Sequence, residues 1–291
     1  MAAEEDRTAL NGLEKRLFKL VSEKAASTQW SEWLRAPLEH AVAEGDKDLA
    51  LALLKAGADG SAGWEGCGDR TLLQAAAEGG NEEVVSTLLG KGGVEELDVV
   101  SGDNERTALH RALAGGHTEA ARVLMLAGAD VGLVDAKGRS ALHYATERGH
   151  LQLAGDAVIG GADPKAKDID GNTPLHFAAA YDDDNFVGTL LRRGAHVNAA
   201  NNEGKCPLHV AVNRGRITAA EALLKAGADP NARYGSLNDR SPLFFAHDKA
   251  AMTRTLLEYG ADVLSVDHLG FTALHAAAVE VFGCFSPRLL M

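Results

Sequence analysis

Cysteines, prolines and aromatic residues are scarce in this chain of 291 residues, which has three cysteines, seven prolines and 5% Phe, Trp and Tyr. Cys67, Cys206 and Cys284 lie far apart and form no Cys-x-x-Cys pair, so neither a disulfide framework nor a zinc site is indicated, and a reducing compartment is the simplest setting. The low aromatic content, beside abundant Ala, Leu and Gly, favours short, closely packed helices joined by glycine turns over a sheet core. Positive charge is in deficit too. A net charge of −12 argues against nucleic acid as the main partner, because a phosphate backbone rewards a basic surface. No run of about 18 apolar residues is present for membrane insertion, the acidic start MAAEEDR is unlike a secretory signal, and no Asn-x-Ser/Thr acceptor occurs. Cytosol or nucleus is the expected location.

What is present is a repeated word. GNTPLHFAAA at 171–180 has counterparts in GRSALHYATERGH from Gly138, GKCPLHVAVNRGR from Gly204 and GFTALHAAA from Gly270. The shared leucine falls at Leu38, Leu73, Leu109, Leu142, Leu175, Leu208, Leu243 and Leu274, at separations of 35, 36, 33, 33, 33, 35 and 31 residues. A period near 33 marks a repeat architecture. Nineteen residues after the first six leucines comes a glycine, and four of these open the word Gly-Ala-Asp.

Residues 171–198 show how each unit folds. Thr173 is expected to cap a helix whose first position, Pro174, needs no N–H and has its φ preset. Leu175, Ala178 and Ala179 share a face small enough for the next repeat to approach. In the sister repeats Gly80, Gly116, Gly149 and Gly215 end this helix, and a second one follows with pairs such as Leu190-Leu191 or Leu223-Leu224. Gly-Ala-Asp then closes it, and an extended finger returns the chain. These residues resemble the ankyrin repeat, with its Thr-Pro-Leu-His-x-Ala word, Gly-His turn, leucine-rich second helix and Gly-Ala-Asp. The resemblance covers about residues 34–291. It implies an all-α solenoid of about eight helix-turn-helix repeats, the last incomplete, preceded by a capping helix region in residues 1–33.

Five histidines, His110, His143, His176, His209 and His275, occupy the fourth place of the word. Two more, His117 and His150, sit in Gly-His turns. The resemblance implies that the signature histidine is structural, bonding to backbone near the finger. No base or nucleophile partner singles out one of the five, and the chain has no phosphate loop, GxSxG elbow or HExxH. The reading is therefore non-enzymatic, with no cofactor and no small-molecule substrate. Asp182, Asp183 and Asp184 replace the turn of the fifth repeat. They are either a solvated turn that favours the next helix's N-terminus or a cation site with ligands from one turn only.

The resemblance also directs attention to the face of finger tips and first helices, concave in such arrays, where the position three before the leucine reads Arg70, Arg106, Arg139, Asn172, Lys205, Arg240 and Phe271. Five of the seven are basic, which predicts a positive stripe suited to an acidic peptide or loop, unless it is a solubility device partly cancelled by Asp69, Glu105 and Asp239. Tyr144, Phe177 and Phe245 pack between first helices or anchor a partner. Trp64 and Tyr234, in fingers two residues longer than the rest, either anchor a partner or fold back. Leu10, Leu13, Leu17, Leu20 and Val21 form an amphipathic helix that either covers the first repeat or binds a partner helix. The seventh repeat has 17 residues between Leu243 and Gly260 where its sisters have 19, so its helices should shorten. Past HAAAV, Pro287 lies where a second helix is expected, with Phe282, Phe285, Leu289 and Leu290 short of partners; a truncated product or an apolar self-association site is expected. The function these readings support is a scaffold or adaptor for another protein, or the regulatory or targeting array of a larger enzyme, channel or ubiquitin-ligase adaptor.

Overall fold

The computed structural model describes residues 28–60, 70–235, 239–246 and 248–282, and all described secondary structure is helical. The amphipathic helix read around Leu10–Val21, Trp64, and residues 285–290 lie outside the described residues. The chain divides into two compact units, residues 1–136 and 137–291.

The first unit contains α1 (Thr28–Ala43), α2 (Lys47–Lys55), α3 (Leu72–Glu78), α4 (Glu82–Gly90), α5 (Ala108–Gly115) and α6 (Thr118–Leu126), with a 3-10 turn at Gly93–Glu96. The second contains α7 (Ala141–Glu147), α8 (Leu151–Ile159), α9 (Pro174–Ala178), α10 (Asp184–Arg192), α11 (Pro207–Asn213), α12 (Ile217–Lys225), a 3-10 turn at Pro242–Phe245, α13 (Ala250–Glu258) and α14 (Ala273–Phe282). Antiparallel partners alternate with returning fingers, as the repeat predicts. Isolated bridges close three fingers, at Ser101–Arg106, Tyr234–Arg240 and Val266–Thr272.

In each unit the core is built on its own signature leucines. Leu38, Leu73, Leu109, Leu142, Leu175 and Leu208 are at most 1% exposed, and Leu243 is 6% exposed. Each contributes roughly 1.5–3 kcal/mol by burial. Leu274 is 78% exposed, because no second helix follows α14 within the described residues to cover it. The turn histidine His117 packs over Gly80, whose φ of +72° and lack of a side chain both make room for the ring.

Local irregularities have physical causes. Helix α1 runs through Pro37, which leaves the Trp33 carbonyl without the usual intrahelical donor. In the fifth repeat the first helix has only five residues, Asp182 stands at the position of the turn glycine, and Tyr181 before it lies against Gly149 and donates through its hydroxyl to the Glu147 carbonyl at 2.5 Å. There the aspartates cap two helices. Asp183 accepts from the Phe186 N–H at 3.1 Å at the start of α10, and Asp182 accepts from the Thr218 N–H at 2.9 Å and its hydroxyl at 2.6 Å at the start of α12. These bonds, Thr218's hydroxyl first, hold the Asp182 carboxyl below the usual range.

The seventh repeat shortens as its residue count requires. Its first helix shrinks to the 3-10 turn at Pro242–Phe245, while α13 keeps nine residues. Because a repeat array is held only through neighbours, the segment 242–282 is expected to exchange its amides faster than 137–227. Hydrogen exchange read by mass spectrometry checks this; equal protection of the two segments would contradict it.

Candidate functional site: the face of fingers and first helices

The finger tip is built by an Asx residue in the frame Asx-x-x-Gly: Asp135, Asp168, Asn201 and Asp267. Asp168 Oδ1 accepts from the N–H of Asp170 at 3.0 Å and of Asn172 at 2.7 Å. Asn201 does the same for Glu203 and Lys205, at 3.1 and 2.9 Å, and Asp267 for Leu269 and Phe271, both at 3.0 Å. The glycine between them has a positive φ, +78° at Gly171 and +86° at Gly204. The residue that follows the glycine of the frame is the position three before the signature leucine. Its backbone is thus pinned by the Asx side chain.

The signature histidine pins the same backbone from the preceding repeat. His176 Nδ1 accepts from the Thr173 N–H at 3.0 Å, and its Nε2–H donates to the Lys205 carbonyl at 2.9 Å. His143 likewise joins the Ser140 N–H at 3.1 Å to the Asn172 carbonyl at 3.3 Å, whereas His110 joins the Thr107 N–H at 3.3 Å to a carbonyl earlier in the next finger, that of Leu133, at 3.1 Å. An amide only donates and a carbonyl only accepts, which fixes these rings as neutral Nε2–H tautomers. Burial, ahead of the opposing backbone bonds, lowers the pKa of His143 and His176. His209 is lowered furthest, to about 4, again by burial first. Its Nδ1 accepts from the Cys206 N–H at 3.3 Å, and the thiol that replaces the usual hydroxyl lies 2.9 Å away. Its Nε2 faces the carbonyls of Arg240 and Ala232 without a well-formed bond. His275 Nδ1 accepts from the Thr272 N–H at 3.2 Å, and no finger follows it within the described residues.

The second repeat carries Gln74 in the histidine's place, and the bonds survive. Gln74 Oε1 accepts from the Thr71 N–H at 3.0 Å, while Nε2 donates to the carbonyls of Val99 at 2.6 Å and Arg106 at 3.3 Å. An amide of similar reach, unable to titrate, substitutes for the imidazole. The pairing of Gln74 with Thr71 is visible in the sequence only to a reader who follows the bonds rather than the word.

The positive stripe expected from the sequence is largely neutralised. Arg70 pairs with Glu78 at 2.9 Å, Arg139 with Glu147 at 3.1 Å and Arg240 with Asp267 at 3.3 Å, and Arg106 stands 3.9 Å from Asp135. The partners are not the adjacent acids. Asp239 pairs with Arg233, whereas Glu78 and Glu147 lie eight residues beyond their arginines, one first helix away, and Asp135 and Asp267 are finger-tip aspartates buried at the root of the next finger. Arg139 also donates to the Tyr144 hydroxyl at 2.7 Å with its guanidinium 4.3 Å from that ring's centre, so Tyr144 packs inside at 2% exposed. Tyr234 folds back rather than projecting. It is 4% exposed, donates to Glu203 at 2.7 Å, and clusters with His209 and Phe245 at ring separations of 5.6 and 6.1 Å.

One stretch of this face is different. Between the fifth and sixth repeats a depression of about 420 Å³ is lined by Asp170, Asn172, Phe177, Glu203, Lys205, Val210 and Arg214 among others. Phe177 and Val210 are half-buried, Arg214 is exposed, and among the described residues neither Lys205 nor Arg214 forms an ion pair. Lys205 instead lies 5.5 Å from the centre of the Tyr234 ring. Asn172 bonds to the Asp168 carboxylate at 3.4 Å and accepts from Asn201 at 2.9 Å. The depression thus combines the apolar side chains of Phe177 and Val210 with two cations and two carboxylates.

A family model described as ankyrin repeats in three copies matches overlapping stretches at residues 38–135, 72–155, 124–199 and 142–234. The chain belongs to the ankyrin-repeat family. Ankyrin repeats are protein-interaction modules, so the array is a domain for binding other proteins. It is 39% identical over 119 residues to zinc finger CCCH domain-containing protein 50 of Oryza sativa subsp. japonica, covering 36% of this chain and 18% of that protein. It is 36% identical over 75 residues to diacylglycerol kinase iota of Rattus norvegicus, covering 26% of this chain and 7% of that protein. The chain therefore spans less than a fifth of the length of these curated relatives. Among the described residues of the ankyrin array no helix is long and apolar enough to cross a membrane.

Proposed function

We propose that this ankyrin array is a non-enzymatic scaffold that binds a protein segment in the depression between its fifth and sixth repeats. The segment places an apolar side chain over Phe177 and Val210 and an acidic one against Lys205 and Arg214. The observation that carries this reading is a pair of cations without an ion pair beside a half-buried aromatic ring, where Arg70, Arg106, Arg139 and Arg240, at the position equivalent to Lys205, each lie within 4.0 Å of a carboxylate. Because His176 and Asn201 fix the backbone of Lys205 from both sides, its side chain is presented from a rigid support, which limits the entropy lost on binding. The short share of the longer relatives favours a second reading, in which the array is the targeting element of a larger protein and the same groove serves that role.

Reversing both Lys205 and Arg214 to Glu is expected to weaken a partner captured by the intact chain about tenfold or more, mostly through the on-rate, and to flatten the salt dependence. Titration at low and high salt tests it. Equal affinity and equal salt slope for wild type and the double variant would show that the groove is not the binding surface.

A further inference from the structure

In the first unit, two guanidinium groups, those of Arg70 and Arg111, converge on one carboxylate, that of Glu78. Arg70 precedes α3, Arg106 precedes α5 and Arg111 lies within α5; Glu78 ends α3. A single oxygen of Glu78, Oε2, accepts from Arg70 Nη1 at 2.9 Å and from Arg111 Nη1 at 3.1 Å. Arg111 is held from behind, since its Nη2 donates to the Ser101 carbonyl at 3.0 Å and its side chain is only 10% exposed. Arg106 stands 3.9 Å from Asp135 and is 25% exposed. Arg111's pKa is lowered by burial first, with Glu78 opposing and the charges of Arg70 and Arg106 adding less.

Two guanidiniums converging on one oxygen form an anion cradle, and the chain's own Glu78 occupies it. Glu78 is 49% exposed, stands at the last position of its helix and is followed by Gly79 and Gly80, so it can swing out without moving the core. We propose that this cradle binds a phosphorylated serine or threonine of a protein partner, and that Glu78 is the place-holder it displaces. Exchange of one carboxylate for another gains nothing, because Glu78 is already tethered at the site. A phosphomonoester carries nearly two charges and three acceptor oxygens, enough to engage Arg70 and Arg111 together and to draw in Arg106. The proposal rests on the protein-binding reading only for the carrier of the phosphate; it uses residues of the other unit from the groove at Lys205.

The test uses the full chain and fluorescent peptide pools with degenerate flanks around a fixed phosphoserine, serine or glutamate. Phosphoserine is expected to bind about tenfold more tightly than either control, Arg70→Gln to lose most of that preference, and Glu78→Gln to bind the phosphoserine pool about threefold more tightly, since the internal competitor is weakened. The gain with Glu78→Gln is a readout that a purely structural ion pair would not produce. Lys205→Glu with Arg214→Glu should leave the preference intact, which separates failure of this site from failure of the groove. Equal binding of the phosphoserine and serine pools, or no gain with Glu78→Gln, overturns the proposal. So does binding to vesicles containing a phosphoinositide without binding to the phosphoserine pool.

Discussion

His176→Ala is expected to destabilise the array by about 3 kcal/mol, and His176→Gln by less than about 1 kcal/mol. The alanine variant leaves a buried amide, Thr173 N–H, and a carbonyl, Lys205 C=O, without partners, and opens a hole in a site where the side chain is 3% exposed. The glutamine variant has a natural precedent in Gln74, which bridges the same two kinds of backbone group in the second repeat. Urea unfolding followed by circular dichroism gives both values. Equal losses for the two variants would show that ring packing, and not the bridge, is what the histidine supplies.

The second large effect is acid destabilisation. The folded pKa of His209, about 4, lies below the ordinary value of 6.5, so the unfolded chain binds more protons between those limits. The stability this histidine contributes is complete above pH 6.5 and is lost as pH falls towards 4. Over that window the change is about 3 kcal/mol, of which about 2 kcal/mol appears by pH 5. His143 and His176 are shifted in the same direction by the same burial and add to the slope. Urea midpoints at pH 7.5, 6 and 5 should fall steadily for wild type. The triple variant His143→Gln, His176→Gln and His209→Gln should lose little at pH 7.5 and show a much flatter decline. A triple variant as acid-sensitive as wild type would place the titration on the carboxylates instead.

Much of the fold was legible because the repeat states each local choice several times over. The Thr-Pro start, the turn glycines and the buried leucines recur at a fixed period, and the backbone adopts what each requires. Even the defect of the seventh repeat could be counted off, since two missing residues have to come out of a helix or a turn. The binding face was read less well. Counting basic residues at one position located the right rungs but not their charge state, because pairing depends on residues eight or about 28 positions away that only the folded repeat brings close. Arg139 and Arg240 are joined to Glu147 and Asp267 in this manner, and only Lys205 remains without an ion pair among the described basic rungs. The Asx-x-x-Gly frame was also present in the sequence at Asp135, Asp168, Asn201 and Asp267. Its role depends on side-chain to backbone bonds that composition does not reveal. Tyr234 shows the same limit: a lone aromatic in a long finger is equally compatible with an anchor and a plug, and its bond to Glu203 makes it a plug.

Partners are expected to be met on the face of fingers and first helices around Lys205. Segment-resolved hydrogen exchange of the intact chain, with and without the protein it captures, tests this most directly. The expected result is protection confined to the finger at 201–205 and the first helices at 174–180 and 207–214. Protection on the second helices at 184–192 and 217–225, with those segments unchanged, would contradict it.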